Sequence, residues 1–522
     1  MKKTKRIALV LALTLALAQV LSGCANETKT QSGENATLRY WMYLTSYASN
    51  VVSNMGETPM MKEAQRLTGI NVEFEHPPQG QIREKFNVMV ASDNLPDIIQ
   101  YNWENNYPGG PQKAIDDRII VDLNELKSSA PNLFKFLDEN EEVRSLSTTD
   151  DGQQFAFPFV RLDMGLRVSQ GVIVRKDWLD DVGLGVPETI DEWETALTAF
   201  RDKKGATAPL SVSLADMQDG TSFIGAYNTM LGYYVEDGKV KHGYLEPGLK
   251  DWLITMNRWY SEKLLDQDFA SLDTNIKDAN ILNGNSGAVV NSIGRGIGRY
   301  MNAAPDEKYQ LVGAKYPVLN KGETPKFSKL HRVVPPGYNA YAAISIDCRN
   351  KELAAKFLDF GYSDEGRTLY NFGIEGESFN MIDGYPTYSE KITKNPDGLS
   401  MTEALALYTY AYDYGPTIQD VRYMEQYAAT PEQKQAWETW SITEMDKRLA
   451  PALQVKADEL SEHANLDTAV VTYADEMMYK IIMGVEPVEK IDEMVAQIKA
   501  RGMDRLLEMK QASYDRYISK NK

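Results

Sequence analysis

Twelve side chains stand where their chemistry could serve a ligand. Trp41 and Tyr43 lie in the aromatic segment Leu38–Leu44, with Thr45, Ser46 and Tyr47 just beyond it. Asn102 and Trp103 follow Asp97–Tyr101, and Ser292 and Arg295 follow Ser286–Asn291. Tyr338 and Asn339 open the segment Tyr338–Cys348, and Glu375 lies in a loop after a helix. Rings with polar tips, set beside amide, hydroxyl, carboxylate and guanidinium groups, suit a sugar. A rigid ring covers the apolar C–H face of a pyranose. The polar groups read its hydroxyls, and each one left unmatched in a closed site costs about 1–3 kcal/mol. Trp103 carries the strongest single expectation, because a loop tryptophan beyond a strand end should have little core to fill.

Other chemistries find less support. Gly294-Arg295-Gly296-Ile297-Gly298 resembles a nucleotide loop, but Arg299 stands where the third glycine of G-x-G-x-x-G belongs, so a glycine-permitted turn is expected. No Walker loop, H-E-x-x-H or G-x-S-x-G occurs. His76 precedes two prolines and reads as a surface-turn residue, and His242, His331 and His463 are isolated. The adjacent pairs Asp180-Asp181 and Glu141-Glu142 read as solvated faces, not as two carboxylates held apart across a cleft. We therefore expect no enzyme, no catalytic residue, no cofactor and no metal.

The elements that must hold these residues alternate between strand and helix, which points to parallel α/β sheets. Strand-like segments cover Leu38–Leu44, Ile70–Phe74, Asp97–Tyr101, Leu166–Arg175, Ser286–Asn291 and Tyr338–Cys348. Helical patterns cover Pro59–Leu67, Gln81–Ala91, Lys176–Val182 and Lys351–Phe360. Thr189 and Glu192 form a capping box ahead of the stripe Ile190, Trp193, Leu197, Phe200. Pro247 opens a helix with Leu249, Trp252, Leu253, Met256 and Tyr260 on one face. From about Leu399 onward the chain reads as mainly helical, with Ile491, Met494, Val495 and Ile498 as one stripe. Open α/β sheets bind ligands beyond the carboxyl ends of their strands. That rule selects the residues after the strand ends; the start of Tyr338–Cys348 adds Tyr338 and Asn339, and a helix-end loop adds Glu375.

The 522 residues carry a net charge of −18, which argues against nucleic acid as a partner. The same balance gives no long-range attraction for phosphate or polyuronate ligands and is compatible with neutral oligosaccharides or cationic peptides. Two cysteines cannot build a disulfide framework. Lys2, Lys3, Lys5 and Arg6 precede an apolar run, Ile7–Val20, too short to span a bilayer comfortably. Leu21-Ser22-Gly23-Cys24 follows and resembles the lipobox of bacterial lipoprotein signal peptides. On that resemblance residues 1–23 are a signal peptide, Cys24 is lipidated (a palmitate among its chains), and Ala25–Thr37 is a polar tether. Cys348 would then be a lone buried thiol.

Several stretches are similar to one family. They are Met89-Val90-Ala91-Ser92-Asp93-Asn94-Leu95-Pro96-Asp97-Ile98, Val174-Arg175-Lys176-Asp177-Trp178-Leu179, Trp259-Tyr260-Ser261-Glu262-Lys263-Leu264-Leu265-Asp266, Phe372-Gly373-Ile374-Glu375-Gly376-Glu377 and the tail Ile481–Tyr517. In this order and with the lipobox, the chain resembles the extracellular solute-binding proteins of ABC importers, family 1, in the long lipoprotein branch of Gram-positive bacteria. The resemblance implies a hinge-linked, two-lobed α/β fold of the periplasmic-binding-protein type, class II, with a helical C-terminal region. Lobe one would comprise 38–160 plus 340–385, and lobe two 165–335 plus 395–522. The chain would cross near Pro158–Arg167, return near Val334–Ile346 and recross near Phe379–Leu399. It also implies a monomer, lipid-anchored on the outer face of the cell membrane. That monomer would hold an oligosaccharide or related polyhydroxylated solute in an interlobe cleft and present it to ABC permease subunits. A peptide-binding lipoprotein and a surface glycoside hydrolase or lyase are the alternatives. Some family members carry a calcium loop after the helix that starts at Thr189 here; residues 201–209 are too short and too basic to supply six to eight oxygens.

Overall fold

Two separate sheets hold the candidate residues. The structure is a computed structural model and describes residues 36–520 except 93, 169, 219–222, 305 and 338. The signal segment, Cys24, nearly all of the tether and Tyr338 lie outside the described residues.

The first sheet contains β1 (Thr37–Met42), β2 (Asn71–Glu75), β3 (Ile98–Tyr101), β4 (Phe157–Pro158) and a late strand, Tyr341–Ile344. Its order is β2-β1-β3, then the late strand, then β4. β1 and β3 run parallel, with Tyr40 opposite Ile98, while the late strand runs antiparallel to both β3 and β4. Helices such as Pro59–Thr68 and Lys351–Asp359 bury Met60, Met61, Ala64, Phe357 and Leu358 in the same core as Leu38, Tyr40 and Met42.

The second sheet contains β5 (Gln170–Arg175), β6 (Leu210–Ser211), the strand Ala288–Ser292 and the strand Leu311–Gly313. Here the two-residue period of a strand decides the architecture. Val172, Val174, Ala288 and Val290 point into one core, shared with Trp193, Trp252 and the C-terminal residues Val470, Ile481 and Ile498. Ile173, Val289 and Leu311 point into another, shared with Phe372, Phe379, Tyr388, Leu405 and Trp440. A sheet apolar on both faces must be covered twice, and helices on either side do so.

Local signals form as the sequence indicates. The Thr189 hydroxyl accepts from Glu192 N, and Glu192 reaches back to Thr189 N. Cys348 is buried and unpaired, and burial, with Asp97 beside it, pushes its thiol up to about 12. Two segments differ from expectation. Leu166–Arg175 is not one strand: the Asp163 side chain caps a helical turn, Met164–Arg167, before β5 begins. His76 is not a surface-turn residue. Its Nε2 accepts from Met55 N at 3.0 Å while Nδ1 faces Met42 O at 2.9 Å, which fixes the Nδ1–H tautomer.

Three chain segments meet where the sheets join. Phe159 N donates to Ala340 O at 2.8 Å, Val160 N to Thr417 O at 2.9 Å, Arg161 N to Val333 O at 2.7 Å, and Gln419 N to Val160 O at 2.8 Å. Phe379, Tyr388 and Ile392 are buried in the core beside the second sheet. Among the described residues no helix is long and apolar enough to cross a membrane, and no group of three or more His, Cys, Asp or Glu is placed to hold a metal.

Candidate functional site

A cavity of about 330 Å³ opens beyond the carboxyl ends of β1 and of the strand Ala288–Ser292. Tyr43, Thr45, Ser46 and Tyr47 line it from the first sheet, and Ser292, Ile293, Gly294 and Arg295 from the second. Arg161 and Leu166 come from the junction, and Tyr412, Tyr414, Tyr423, Met424 and Tyr427 complete the wall. Six of these fifteen residues are tyrosines, two are arginines and none is acidic.

Each wall is held by local chemistry. Thr45 caps the short helix Ser46–Ser49, its hydroxyl accepting from Ala48 N, and so turns Tyr47 toward the opening. Tyr43 donates to Gln79 Oε1, and Gln79 in turn donates to Leu44 O at 2.8 Å. Ser292 caps the next wall: its Oγ accepts from Arg295 N at 3.3 Å at the start of a wide helical segment, Ile293–Gly298. The glycines there stand in this helical segment at the strand end, none of them at positive φ. Gly294 is required because a Cβ would fall 1.9 Å from the Tyr427 hydroxyl.

The tyrosines form a connected cluster. Tyr47 meets Tyr412 edge-on at 5.8 Å, and Tyr423 stacks on Tyr427 at 5.5 Å. Burial pushes the Tyr427 hydroxyl up to about 12 and raises that of Tyr47, so both stay neutral donors at physiological pH; Arg295 pulls the other way on each. Arg161 lies over the Tyr414 ring at 4.8 Å and donates to Gln419 Oε1 at 2.7 Å. Tyr414 has φ 63, a left-handed backbone that a tyrosine adopts at a cost of about 1 kcal/mol.

Gln100 joins these walls from behind. Its Oε1 accepts from Tyr40 and Tyr410 hydroxyls at 2.5 and 2.7 Å, and its Nε2 donates to Asn339 O and Tyr414 O at 2.8 and 2.9 Å. Asn339 Nδ2 then donates to Tyr43 O at 2.8 Å.

Of the expected residues, Tyr43, Tyr47, Ser292 and Arg295 are brought together in the cavity. Trp103 is not. It is fully buried, edge-on to Phe86 at 5.4 Å, because Asn102 caps the turn that folds it back into the core. Asn102 is buried in that capping role. Trp41 is 6% exposed and edge-on to Tyr101. Asn339 is buried behind the wall, and Glu375 is exposed on a loop away from the cavity. The sequence reading missed Arg161, Tyr412, Tyr414, Tyr423 and Tyr427. The alternating run Tyr408-Thr409-Tyr410-Ala411-Tyr412-Asp413-Tyr414, followed by Tyr423 and Tyr427 one helical turn apart, was the available signal.

A family profile described as "Bacterial extracellular solute-binding protein" matches residues 56–368, more than half of the chain. The chain belongs to the bacterial extracellular solute-binding proteins. It is similar to lipoprotein LipO of Bacillus subtilis (strain 168), 24% identical over 411 residues, covering 74% of this chain and 76% of that one. It is also similar to the polygalacturonan/rhamnogalacturonan-binding protein YtcQ of the same organism, 23% identical, covering 71% and 74%. Among solved structures, the alginate-binding protein AlgQ2 without calcium ion superposes with a TM-score of 0.70 at 22% identity, covering 94% of this chain and 99% of that one. That likeness establishes the two-lobed fold, in which the cavity of this solute-binding protein sits at the strand ends of both sheets.

Proposed function

We propose that the protein is the lipid-anchored receptor of an ABC importer and captures an oligosaccharide in the tyrosine-lined cavity. Lipidation at Cys24 and the tether through Thr37 would hold the body on the outer face of the membrane. The observation that carries the saccharide reading is the cavity wall: six tyrosines beside Arg161, Arg295, Thr45 and Ser292, drawn from the strand ends of two sheets. Rings serve the C–H faces of a sugar and hydroxyls its edges. YtcQ and AlgQ2, a polygalacturonan/rhamnogalacturonan-binding and an alginate-binding protein, agree with a saccharide. Closure of the two lobes would be driven by contacts that each makes with the ligand only in the closed form, and the closed monomer is what a permease would recognise.

Binding is favoured over hydrolysis by the same wall. A glycosidase needs two carboxyl groups flanking the scissile bond, and no Asp or Glu is among the described residues that line this cavity. Purified protein incubated with a panel of mono- and oligosaccharides tests the reading through melting temperature and product size. The expected result is a rise in melting temperature with at least one saccharide and no change in its length. Cleavage, or a response to peptides and to no saccharide, would refute it.

A further inference from the structure

The helix Met503–Lys520 packs against two different cores. Its first half belongs with the second sheet. Met503 and Leu506 are buried in the core of Val172 and Trp252, Arg505 pairs with Glu459 and Glu462 at 3.0 Å, and the Gln511 side chain accepts from Val240 N at 2.7 Å. Its last two turns belong with the first sheet. Tyr517 packs against the core of Leu38 and Tyr101. Arg516 Nε donates to Asp150 Oδ2 at 2.8 Å, and Lys520 Nζ donates to Ser145 O at 3.0 Å and Thr148 O at 2.7 Å. These two carbonyls stand at the end of the helix Glu141–Ser147, where acceptors lack partners within the helix and the dipole favours a cation.

A helix of 18 residues is a rod of about 27 Å. Rotation of one sheet's body against the other must therefore break one of these two sets of contacts. The covalent crossings near Val160, Val333 and Thr417 are extended or irregular, with no helix through them, and such segments absorb the φ/ψ change of a hinge. The helix end is linked to that junction. Arg516 Nη2 donates to Gln454 O at 2.6 Å, Gln454 Nε2 donates to Glu104 O at 2.8 Å, and the Glu104 carboxylate pairs at 2.7 Å with Arg332, the neighbour of Val333. The hollow of about 320 Å³ enclosed there shares no lining residue with the tyrosine-lined cavity.

We propose that Arg516, Tyr517 and Lys520 are positioning residues for ligand capture: from outside the cavity they lock the two lobes at the angle that brings Tyr47 and Arg295 to one wall. The proposal rests on reading that cavity as the ligand site, as above. The lock and the complete wall occur in the same arrangement of the lobes. Whatever stabilises the first therefore raises the population of the second. Apparent affinity scales with the population of the binding-competent arrangement, so residues that never touch the ligand set how tightly it is held.

The test needs no ligand. Small-angle X-ray scattering and tyrosine nitration by tetranitromethane, mapped by mass spectrometry, compare the whole wild-type protein, Arg516→Ala/Lys520→Ala and the conservative variant Lys520→Arg. In the double variant the radius of gyration should rise, and Tyr427 in the cavity wall should be nitrated about three to ten times faster. Tyr370, buried inside the first core, should stay unreactive. Lys520→Arg keeps a cation on the two carbonyls and should match the wild type in both readings. An unchanged or smaller radius, or unchanged nitration of Tyr427, overturns the lock and leaves the saccharide reading intact, since no saccharide is present. Nitration of Tyr370 in step with Tyr427 would mean that the core had loosened; Arg516→Ala alone, at a side chain 26% exposed, then decides by the same two readings. A positive result beside a saccharide panel that fails would keep the lock and discard only the saccharide.

Discussion

Replacing Gln100 by leucine removes one amide that ties four chain segments together. The side chain bridges the Tyr40 and Tyr410 hydroxyls to the carbonyls of Asn339 and Tyr414 through four hydrogen bonds of 2.5–2.9 Å. Leucine fills much the same volume, so little cavity is created and the loss is polar. Tyr410 still reaches the Tyr40 hydroxyl at 3.1 Å, so the two phenols partly satisfy each other. The two carbonyls lose their Gln100 donor, and one phenol proton loses its acceptor. At about 1 kcal/mol for each lost bond, with more for groups left dry, the change should cost about 3–4 kcal/mol. Urea titration of the wild type and Gln100→Leu measures it. Because the Tyr414 carbonyl and, through Asn339, the Tyr43 carbonyl are both positioned by this amide, saccharide affinity should also fall, by about tenfold. A stability change below about 1 kcal/mol, or unchanged affinity in a destabilised variant, would refute the view that Gln100 organises the cavity wall.

Four further outcomes follow from the geometry. Trp103→Ala should cost about 3–5 kcal/mol in a thermal or urea melt, as for a large core side chain, while the remaining folded protein keeps its saccharide affinity. Tyr414→Gly should relieve about 1 kcal/mol of left-handed backbone strain yet weaken saccharide binding in a titration, because the ring under Arg161 is lost. Burial pushes Lys510 and Lys520 down to about 8 each; in the unfolded chain they keep their protons to about 10.5, so between pH 8 and 10 the unfolded state binds more protons and stability rises with pH. Urea midpoints across that window should climb in the wild type and flatten in Lys510→Met/Lys520→Met. Cys348 should react with a thiol reagent far more slowly in the native protein than in denaturant, since burial keeps it a thiol.

The sequence carried what is local. The strand-like segments Leu38–Leu44, Asp97–Tyr101 and Ser286–Asn291 located β1, β3 and the strand Ala288–Ser292, and the rule about strand ends then reached Tyr43, Tyr47, Ser292 and Arg295. It could not supply the other half of the wall. Tyr412, Tyr414, Tyr423 and Tyr427 reach the cavity only because Thr417–Gln419 pairs with Val160, more than 250 residues earlier, and no local pattern encodes that pairing. Trp103 misled for a related reason. A tryptophan just past a strand reads as having nothing to pack on, whereas Phe86 comes from the helix Ile82–Val90 to meet it and Tyr107 closes over it from the end of its own turn.

A crystal structure of the protein with a bound oligosaccharide tests the central claim most directly. The account predicts sugar rings against Tyr47, Tyr412 and Tyr427 with both sheets' strand ends in contact. A saccharide seated elsewhere, such as the separate hollow beside Arg516 and Lys520, with the tyrosine wall empty, would contradict it.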